Sequence, residues 1–164
     1  MAEREKIAVT GASGLVGSAL VPVLRANGFD VIRLVRRSPQ ADDEVRWDPD
    51  TGTIDDAALR GVSGAVHLAG DNIATGRWTE AKKARIRNSR VRGTELIAGA
   101  LAKLTPKPRV LISASAIGYY GSRGSKTLDE HAVAGSGFLA AVCREWEDAT
   151  RAAQEAGIRV VHAR

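Results

Sequence analysis

Several residue types that would mark particular classes of protein are scarce in this chain. Its 164 residues include one cysteine, Cys143, which excludes an internal disulfide framework and favours a reducing compartment. Residues Met1 to Lys6 lack the apolar core of a signal peptide, and no apolar run is long enough to span a membrane. We therefore expect a cytoplasmic protein with no membrane partner, built as one domain around one core.

Aromatic residues are also few, which bears on how the basic charge is interpreted. The formal net charge is +5, and a basic cluster is formed by Lys82, Lys83, Arg85, Arg87, Arg90 and Arg92. Such a cluster is compatible with nucleic-acid binding, but the two Phe and two Tyr do not interleave with it to stack bases. We interpret the cluster as a solvated helix face and expect no nucleic-acid partner.

Three closely spaced glycines, by contrast, mark one informative segment. An apolar strand at residues 7–9 runs into Gly11, Gly14 and Gly17, and apolar residues then recur at helical spacing. The start of that helix would offer unpaired N–H groups to an anion, as in dinucleotide phosphate sites. Gly11 allows a sharp turn, Gly14 removes a Cβ that would strike the phosphates, and Gly17 lets the helix approach the sheet. The predicted phosphate-binding residues are Gly11, Ser13, Gly14, Leu15 and Val16; the alternative is a turn with no ligand.

The rest of the chain alternates strands with helices. Predicted strands cover residues 31–35, 45–47, 65–69, 110–113 and 159–162. Predicted helices extend from the glycine turn to Asn27, from about Thr79, a candidate N-cap, to Lys103, and from about Gly137 to Ala156. One or two helical turns are expected within residues 54–59. Continuous apolar strands in this order predict a doubly wound parallel sheet of the Rossmann type, an α/β fold of three layers (α/β/α) with both sheet faces covered.

The end of the second strand predicts which nucleotide is bound. An acidic side chain there would bind the ribose 2′-hydroxyl of NAD, whereas a basic one suits the additional phosphate of NADP. Arg36 and Arg37 occupy this position, and the nearest acids, Asp30 and Asp42, lie before the strand and in the following loop. We therefore expect NADP rather than NAD; the alternative is that both arginines are simply solvated.

Four ordered motifs resemble a known family. They are Thr10-Gly11-Ala12-Ser13-Gly14-Leu15-Val16-Gly17, His67-Leu68-Ala69-Gly70-Asp71-Asn72-Ile73, Ser89-Arg90-Val91-Arg92-Gly93-Thr94 and Ile112-Ser113-Ala114-Ser115-Ala116-Ile117-Gly118-Tyr119-Tyr120-Gly121. Together they resemble the extended short-chain dehydrogenase/reductases, within the NAD(P)-dependent epimerase/dehydratase family, and more narrowly an atypical branch of nucleoside-diphosphate-sugar epimerases. The resemblance covers nearly the whole chain. It implies a small-molecule substrate of the nucleotide-sugar class and a homodimer formed through the long helices.

The resemblance also implies further cofactor contacts. Leu68, Ala69 and Gly70 would line the cofactor with small side chains and backbone, although Leu68 and Ala69 would equally suit a core. Arg90 interrupts an apolar helical stripe and therefore needs a partner. Relatives direct the matching arginine toward NADP, with Arg85 approaching from one turn earlier. An internal ion pair, or a guanidinium that reaches the surface, is the alternative for Arg90.

The catalytic pattern of the family is incomplete in this chain. Ser115 matches the serine that orients the substrate in typical relatives. Their tyrosine, with a lysine four residues later, has no match at Tyr119 or Tyr120, although either hydroxyl could act as an acid. Cys143 and His67 suit a packed core better than the roles of nucleophile and base.

Family members continue beyond the last predicted strand into a substrate-binding C-terminal part, which is missing here. We therefore expect residues 1–164 to be an NAD(P)-binding Rossmann domain from the N-terminal part of a longer protein. The function predicted is that of an NADP-binding domain in a nucleotide-sugar epimerase or oxidoreductase, which moves hydride to and from a sugar carbon. The alternative is a catalytically silent NADP-binding regulator or scaffold without the tyrosine–lysine pair.

Overall fold

The computed structural model describes residues 4–164, which form a seven-stranded sheet flanked by helices. The strands are β1 (Lys6–Thr10), β2 (Asp30–Val35), β3 (Glu44–Asp48), β4 (Thr53–Ile54), β5 (Val62–His67), β6 (Val110–Ala114) and β7 (Arg159–Ala163). Their order across the sheet is β4-β3-β2-β1-β5-β6-β7, and all neighbours are parallel except β4, which runs antiparallel to β3. The doubly wound Rossmann-like fold is thereby confirmed, with the chain order reversing direction beside β1.

Within residues 4–164, four α-helices connect the strands: α1 (Leu15–Ala26), α2 (Glu80–Lys103), α3 (Phe138–Asp148) and α4 (Arg151–Glu155). The prediction of α2 is confirmed, including its N-cap, because the Thr79 hydroxyl accepts a hydrogen bond from the Lys82 N–H. The helical turns expected within residues 54–59 are confirmed only as one 3₁₀ turn at Ala57–Leu59, because Ile54 lies in the strand β4. None of the helices in the described part of the chain combines the length and apolarity needed to cross a membrane.

The prediction of one continuous helix from Gly137 to Ala156 is wrong, because α3 and α4 are separate. At the break, the Thr150 hydroxyl donates to the Glu147 carbonyl at 2.6 Å, and the Thr150 N–H donates to the same carbonyl at 3.1 Å. These short-range bonds tighten the turn and compete with the α-helical pattern, as threonine side chains do. Thr150 is fully buried, so the break is fixed in the core.

The two faces of the sheet are covered to different extents. On one face, α2 and α4 bury the larger core, in which Ile97, Leu101 and Ala153 pack against strand residues such as Ala8 and Leu111. On the other face, α1 packs on β1 and β2 through Val21 and Leu24. Beyond α1 on that face, the neighbouring side chains of Val66, Ile112 and Val161 remain partly exposed. The expectation that both faces are fully covered therefore holds only in part within residues 4–164.

The predicted site residues lie at one edge of the sheet. Parallel strands present their carboxyl ends together, and β1, β2, β5 and β6 lead directly into the loops that carry the glycines, Arg36 and Arg37, Leu68 to Gly70, and Ser115. Ligands of doubly wound sheets bind at this edge, where the chain order reverses.

Candidate cofactor-binding site

The glycine turn is shaped by close backbone approaches. Gly11 has a φ of +67°, and a Cβ there would lie 2.8 Å from the Leu68 carbonyl carbon and 2.9 Å from the Ala69 nitrogen. A Cβ on Gly17 would lie 2.2 Å from the Gly11 carbonyl oxygen. Gly17 therefore lets α1 pack against the turn itself, which corrects the expectation that it brings the helix close to the sheet.

No side chain in the described part of the chain caps the N-terminus of α1, which follows the glycine turn. Gly14 is the N-cap residue, and its N–H donates to the Gly11 carbonyl at 3.0 Å. Leu15 and Val16 follow with 92% and 60% of their surface exposed. The N–H groups of a first helical turn have no partner within the helix, so this end of α1 is suited to bind an anion.

A buried hydrogen-bond network fixes the loop after β5 against the glycine turn. The Thr10 hydroxyl accepts from the N–H groups of Leu68 and Ala69 at 3.1 and 3.2 Å. Its own proton therefore goes to Nδ1 of His67, which lies 2.7 Å away. His67 thus carries its remaining proton on Nε2, an atom without a hydrogen-bond partner among residues 4–164. Burial lowers the pKa of His67 to about 4, so it is a neutral core residue rather than a base.

These loops and the end of β2 surround a cavity of about 510 Å³. Its lining comprises Gly11, Ala12, Ser13, Gly14, Arg33, Leu34, Val35, Arg36, Arg37, Glu44, Trp47, Pro49, Asp50, Leu68, Ala69, Gly70, Asp71 and Ser89. A volume of this size is within the range of small-molecule and cofactor sites.

Eight of the predicted cofactor residues lie in this lining, namely Gly11, Ser13, Gly14, Arg36, Arg37, Leu68, Ala69 and Gly70. The other predicted site residues, Leu15, Val16, Arg85, Arg90 and Ser115, lie outside it. Sequence reasoning missed lining residues on β2, β3 and α2, including Arg33, Glu44, Trp47 and Ser89. Neither Arg33 nor Glu44 belongs to a sequence motif, and only the pairing of β2 with β3 brings the two residues together.

The two arginines after β2 differ in their surroundings. Arg36 is exposed, whereas Arg37 donates through Nη1 and Nη2 to the two carboxylate oxygens of Glu44 at 2.7 and 2.6 Å. These bonds hold the pKa of Glu44 below its ordinary value. The acid that pairs with Arg37 is thus Glu44 of β3, which sequence reasoning did not consider, rather than Asp30 or Asp42.

Arg90 lies behind Gly70, outside the cavity lining. A Cβ on Gly70 would approach the Arg90 guanidinium carbon to 3.3 Å, so the missing side chain allows this contact. Arg90 donates to the carbonyls of Asp71 and Ile86, both at 3.1 Å, and its guanidinium lies 5.0 Å from the Trp146 ring. Burial lowers the pKa of Arg90. Its partners among residues 4–164 are therefore carbonyls and an aromatic ring, not the carboxylate of an internal ion pair. Arg85, one turn earlier on α2, is exposed.

A second polar cluster lies at the ends of β6 and β7. The Ser115 hydroxyl donates to Glu147 Oε1 at 2.6 Å, and Arg164 binds both Glu147 oxygens at 2.8 Å. Burial alone would raise the pKa of Glu147, but the hydrogen bonds from Arg164 and Ser115 outweigh burial and lower it. Arg164 also stacks on Tyr119, 3.6 Å from the ring centroid, and donates to the Tyr120 hydroxyl at 3.2 Å. No motif indicates Glu147, which stands 32 residues after Ser115.

Cys143 on α3 is buried, with Sγ 3.8 Å from the Ala116 carbonyl oxygen. Burial raises the pKa of its thiol, which keeps it protonated and unreactive. This environment agrees with the expectation of a core cysteine.

The sequence matches a known protein family over nearly its whole length. Residues 7–164 match the NAD dependent epimerase/dehydratase family. An epimerase family protein of Mycobacterium bovis is 47% identical over 158 residues, covering 96% of this chain and 52% of its own length. The chain thus spans about half the length of the curated relatives it matches.

Two solved structures are similar throughout the chain. A nucleoside-diphosphate sugar epimerase from Corynebacterium glutamicum is 39% identical with a TM-score of 0.84, covering 99% of this chain and 34% of that one. The human epimerase family protein SDR39U1, solved with NADPH, is 28% identical with a TM-score of 0.82, covering 97% of this chain and 52% of that one. Since the family match extends over nearly all of the sequence, this chain belongs to the NAD dependent epimerase/dehydratase family.

Proposed function

We propose that residues 1–164 form the NADP-binding domain of a nucleoside-diphosphate-sugar epimerase or oxidoreductase. The observation that carries this proposal is the convergence of three features on one cavity: the glycine turn, the Leu68–Gly70 loop and the arginines after β2. The relatives named as epimerases and the NADPH in human SDR39U1 support it.

The residues present fit a dinucleotide. The uncapped start of α1 would hold the pyrophosphate, because its N–H groups and helix dipole favour an anion. The backbone of Leu68, Ala69 and Gly70 would lie along the cofactor, since the Thr10 and His67 network fixes the start of that loop. Arg90 would support this wall from behind Gly70.

The end of β2 favours NADP over NAD. It carries Arg36 and Arg37, and Arg33 also lines the cavity there. A hydrogen bond to a charged group contributes roughly 1.5 to 3 kcal/mol, which corresponds to about a tenfold to a hundredfold preference for each good contact with the 2′-phosphate.

Ser115 is the residue that would orient a sugar hydroxyl. Its proton is donated to Glu147, so its oxygen can accept a hydrogen bond from a hydroxyl of the substrate. A bound nicotinamide supplies the chemistry of taking hydride from a carbon and returning it. The Tyr120 hydroxyl, which accepts from Arg164 Nη1 at 3.2 Å, belongs to the same cluster and is a candidate for an acid.

A second candidate function is a catalytically silent NADP-binding domain. The observation that favours it lies on α3 (Phe138–Asp148), whose sequence holds neither a tyrosine nor a lysine. Cys143 is buried and kept protonated. Hydride exchange between NADP and a panel of sugar nucleotides in the complete protein separates the two functions. Stereospecific exchange would rule out the silent domain, and a uniformly negative panel would argue against the enzyme.

The first experiment is a calorimetric titration of this chain with NADP⁺ and with NAD⁺. The wild type should bind NADP⁺ more tightly, and the Arg36→Ala/Arg37→Ala double variant should lose that preference. The control is Arg151→Ala/Arg159→Ala, which removes equal charge from exposed positions outside the cavity lining. If neither nucleotide binds the wild type, the proposed cofactor function is wrong for this chain.

A further inference from the structure

A row of alternating charges runs from α1 to the cavity. Arg25 pairs with Asp43, and Arg33 binds Asp43 through Nε and Nη2 at 2.8 and 2.7 Å. Arg33 Nη1 lies 3.2 Å from Glu44 Oε1, and Glu44 in turn binds Arg37. The row therefore ends at Arg37, a residue of the cavity lining.

Glu44 is the central carboxylate of this row. Only 2% of its side chain is exposed, and it accepts the Gln40 N–H at 2.8 Å besides the two bonds from Arg37 and the ion pair with Arg33. Both of its oxygens are therefore engaged by groups of this chain. A carboxylate held in this way acts as a fixed support for the arginine in front of it.

Arg37 keeps part of its hydrogen-bonding capacity free. Its guanidinium has five N–H donors, of which Nη1 uses two, toward Glu44 and the Ser38 carbonyl, and Nη2 uses one, toward Glu44. Within residues 4–164 the Nε–H and the second Nη2–H have no partner. These two donors form one edge of the planar group, and such an edge matches two phosphate oxygens.

The charge balance also suits a phosphate dianion. Three arginines and two carboxylates leave the row with one net positive charge, and Arg36, beside it in the lining, adds a second. A phosphate monoester carries about −1.5 to −2 at pH 7.

We propose that Glu44 is a positioning residue for cofactor selection, which holds the free edge of Arg37 toward the 2′-phosphate of NADP. This inference rests on the proposed function, because it assumes that the cavity binds the nucleotide. Glu44 does not touch the phosphate; it acts through Arg37. NAD lacks the 2′-phosphate, so its affinity should be insensitive to Glu44.

The test is titration calorimetry of wild type and Glu44→Gln with NADP⁺ and NAD⁺ side by side. Gln keeps the size of Glu44, but its amide group turns a donor toward the donors of Arg37. The variant should bind NADP⁺ at least tenfold more weakly, while NAD⁺ affinity changes less than twofold. The control Asp43→Asn removes the other carboxylate of the row, which does not contact Arg37, and should change the NADP⁺ to NAD⁺ ratio less than threefold.

A double-variant comparison makes the positioning role specific. In an Arg37→Ala background, Glu44→Gln should no longer affect NADP⁺ affinity, because the residue through which it acts is gone. Arg37→Lys keeps the charge and removes the planar edge, so the variant should lose most of the preference for NADP⁺ over NAD⁺. The side chain is half exposed, so the fold should tolerate this change. If circular dichroism shows that Glu44→Gln does not fold, Arg37→Lys tests whether the planar edge of Arg37 selects NADP⁺.

The outcomes separate the inference from the proposed function. A wild type that prefers NADP⁺, with unchanged or tighter NADP⁺ binding in Glu44→Gln, overturns the role of Glu44 and leaves the NADP assignment standing. An Arg37→Lys variant that still prefers NADP⁺ over NAD⁺ also overturns the role of Glu44 and leaves the NADP assignment standing. A wild type that binds neither nucleotide, or both equally, overturns the NADP assignment and this inference with it.

Discussion

Protonation of His67 should destabilise the fold in mild acid. The folded-state pKa of about 4 lies below the ordinary value of 6.5 because the ring is completely buried. Between these two pH values the unfolded chain binds a proton that the folded chain excludes. The free energy of unfolding contributed by His67 is therefore complete above pH 6.5 and is lost as the pH falls toward 4. One pKa unit corresponds to about 1.4 kcal/mol, so the loss by pH 4 is about 3 kcal/mol.

The geometry identifies a variant that removes the titration and keeps the hydrogen bond. In His67→Asn, the amide oxygen can take the place of Nδ1 and accept the Thr10 proton, while the side chain has no ionisable group. Urea unfolding followed by far-ultraviolet circular dichroism at pH 7, 6, 5 and 4 gives the free energy of unfolding for each protein. Wild type should lose about 3 kcal/mol more than His67→Asn between pH 7 and pH 4.

Other titrating groups are common to both proteins and cancel in this difference. His131 provides the matched control, because 85% of its side chain is exposed, and His131→Asn should follow the wild-type pH dependence. Parallel pH curves for wild type and His67→Asn would refute the reasoning, since His67 would then titrate alike in the folded and unfolded chain.

Three further substitutions, the first with a matched control, probe the same edge of the sheet. Gly17→Ala places a Cβ 2.2 Å from the Gly11 carbonyl oxygen and should lower the free energy of unfolding by on the order of 2 kcal/mol or more. The control Gly99→Ala in α2 meets nothing within 4 Å and should leave stability unchanged or raise it, as measured for both variants in thermal melts. Arg90→Met removes the donors to the Asp71 and Ile86 carbonyls, so calorimetry should show NADP⁺ and NAD⁺ weakened by similar factors; a selective loss of NADP⁺ would contradict this placement. Glu147→Gln breaks the paired bonds from Arg164 and should lower the free energy of unfolding by about 1 to 3 kcal/mol, measured in urea at pH 7.

The sequence predicts those parts of the fold and cavity that depend on local chemistry. The glycine turn, the Thr79 cap and the apolar strands each express a rule that acts within a few residues, and the structure contains all three. The break between α3 and α4 escaped prediction because it depends on how Thr150 is buried against the rest of the core. Apolar residues recur at helical spacing through that point, so their spacing alone predicts an unbroken helix.

The side chains that orient the site depend on longer-range geometry. Glu147 reaches Ser115 only after β6 and α3 are packed together, so no spacing in the sequence indicates the pair. Glu44 reaches Arg33 because these two residues are register partners in the parallel pairing of β2 with β3.

A slip of one residue in that pairing would turn Glu44 to the opposite face of the sheet, since side chains alternate along a strand. Arg37 would then lose its carboxylate, although the Arg36-Arg37 motif would be unchanged in the sequence. The motif thus predicts the charge that a nucleotide would meet, and the register of β3 determines the direction in which that charge is presented. Cofactor preference in this chain should therefore respond to substitutions in β3 that never touch the nucleotide.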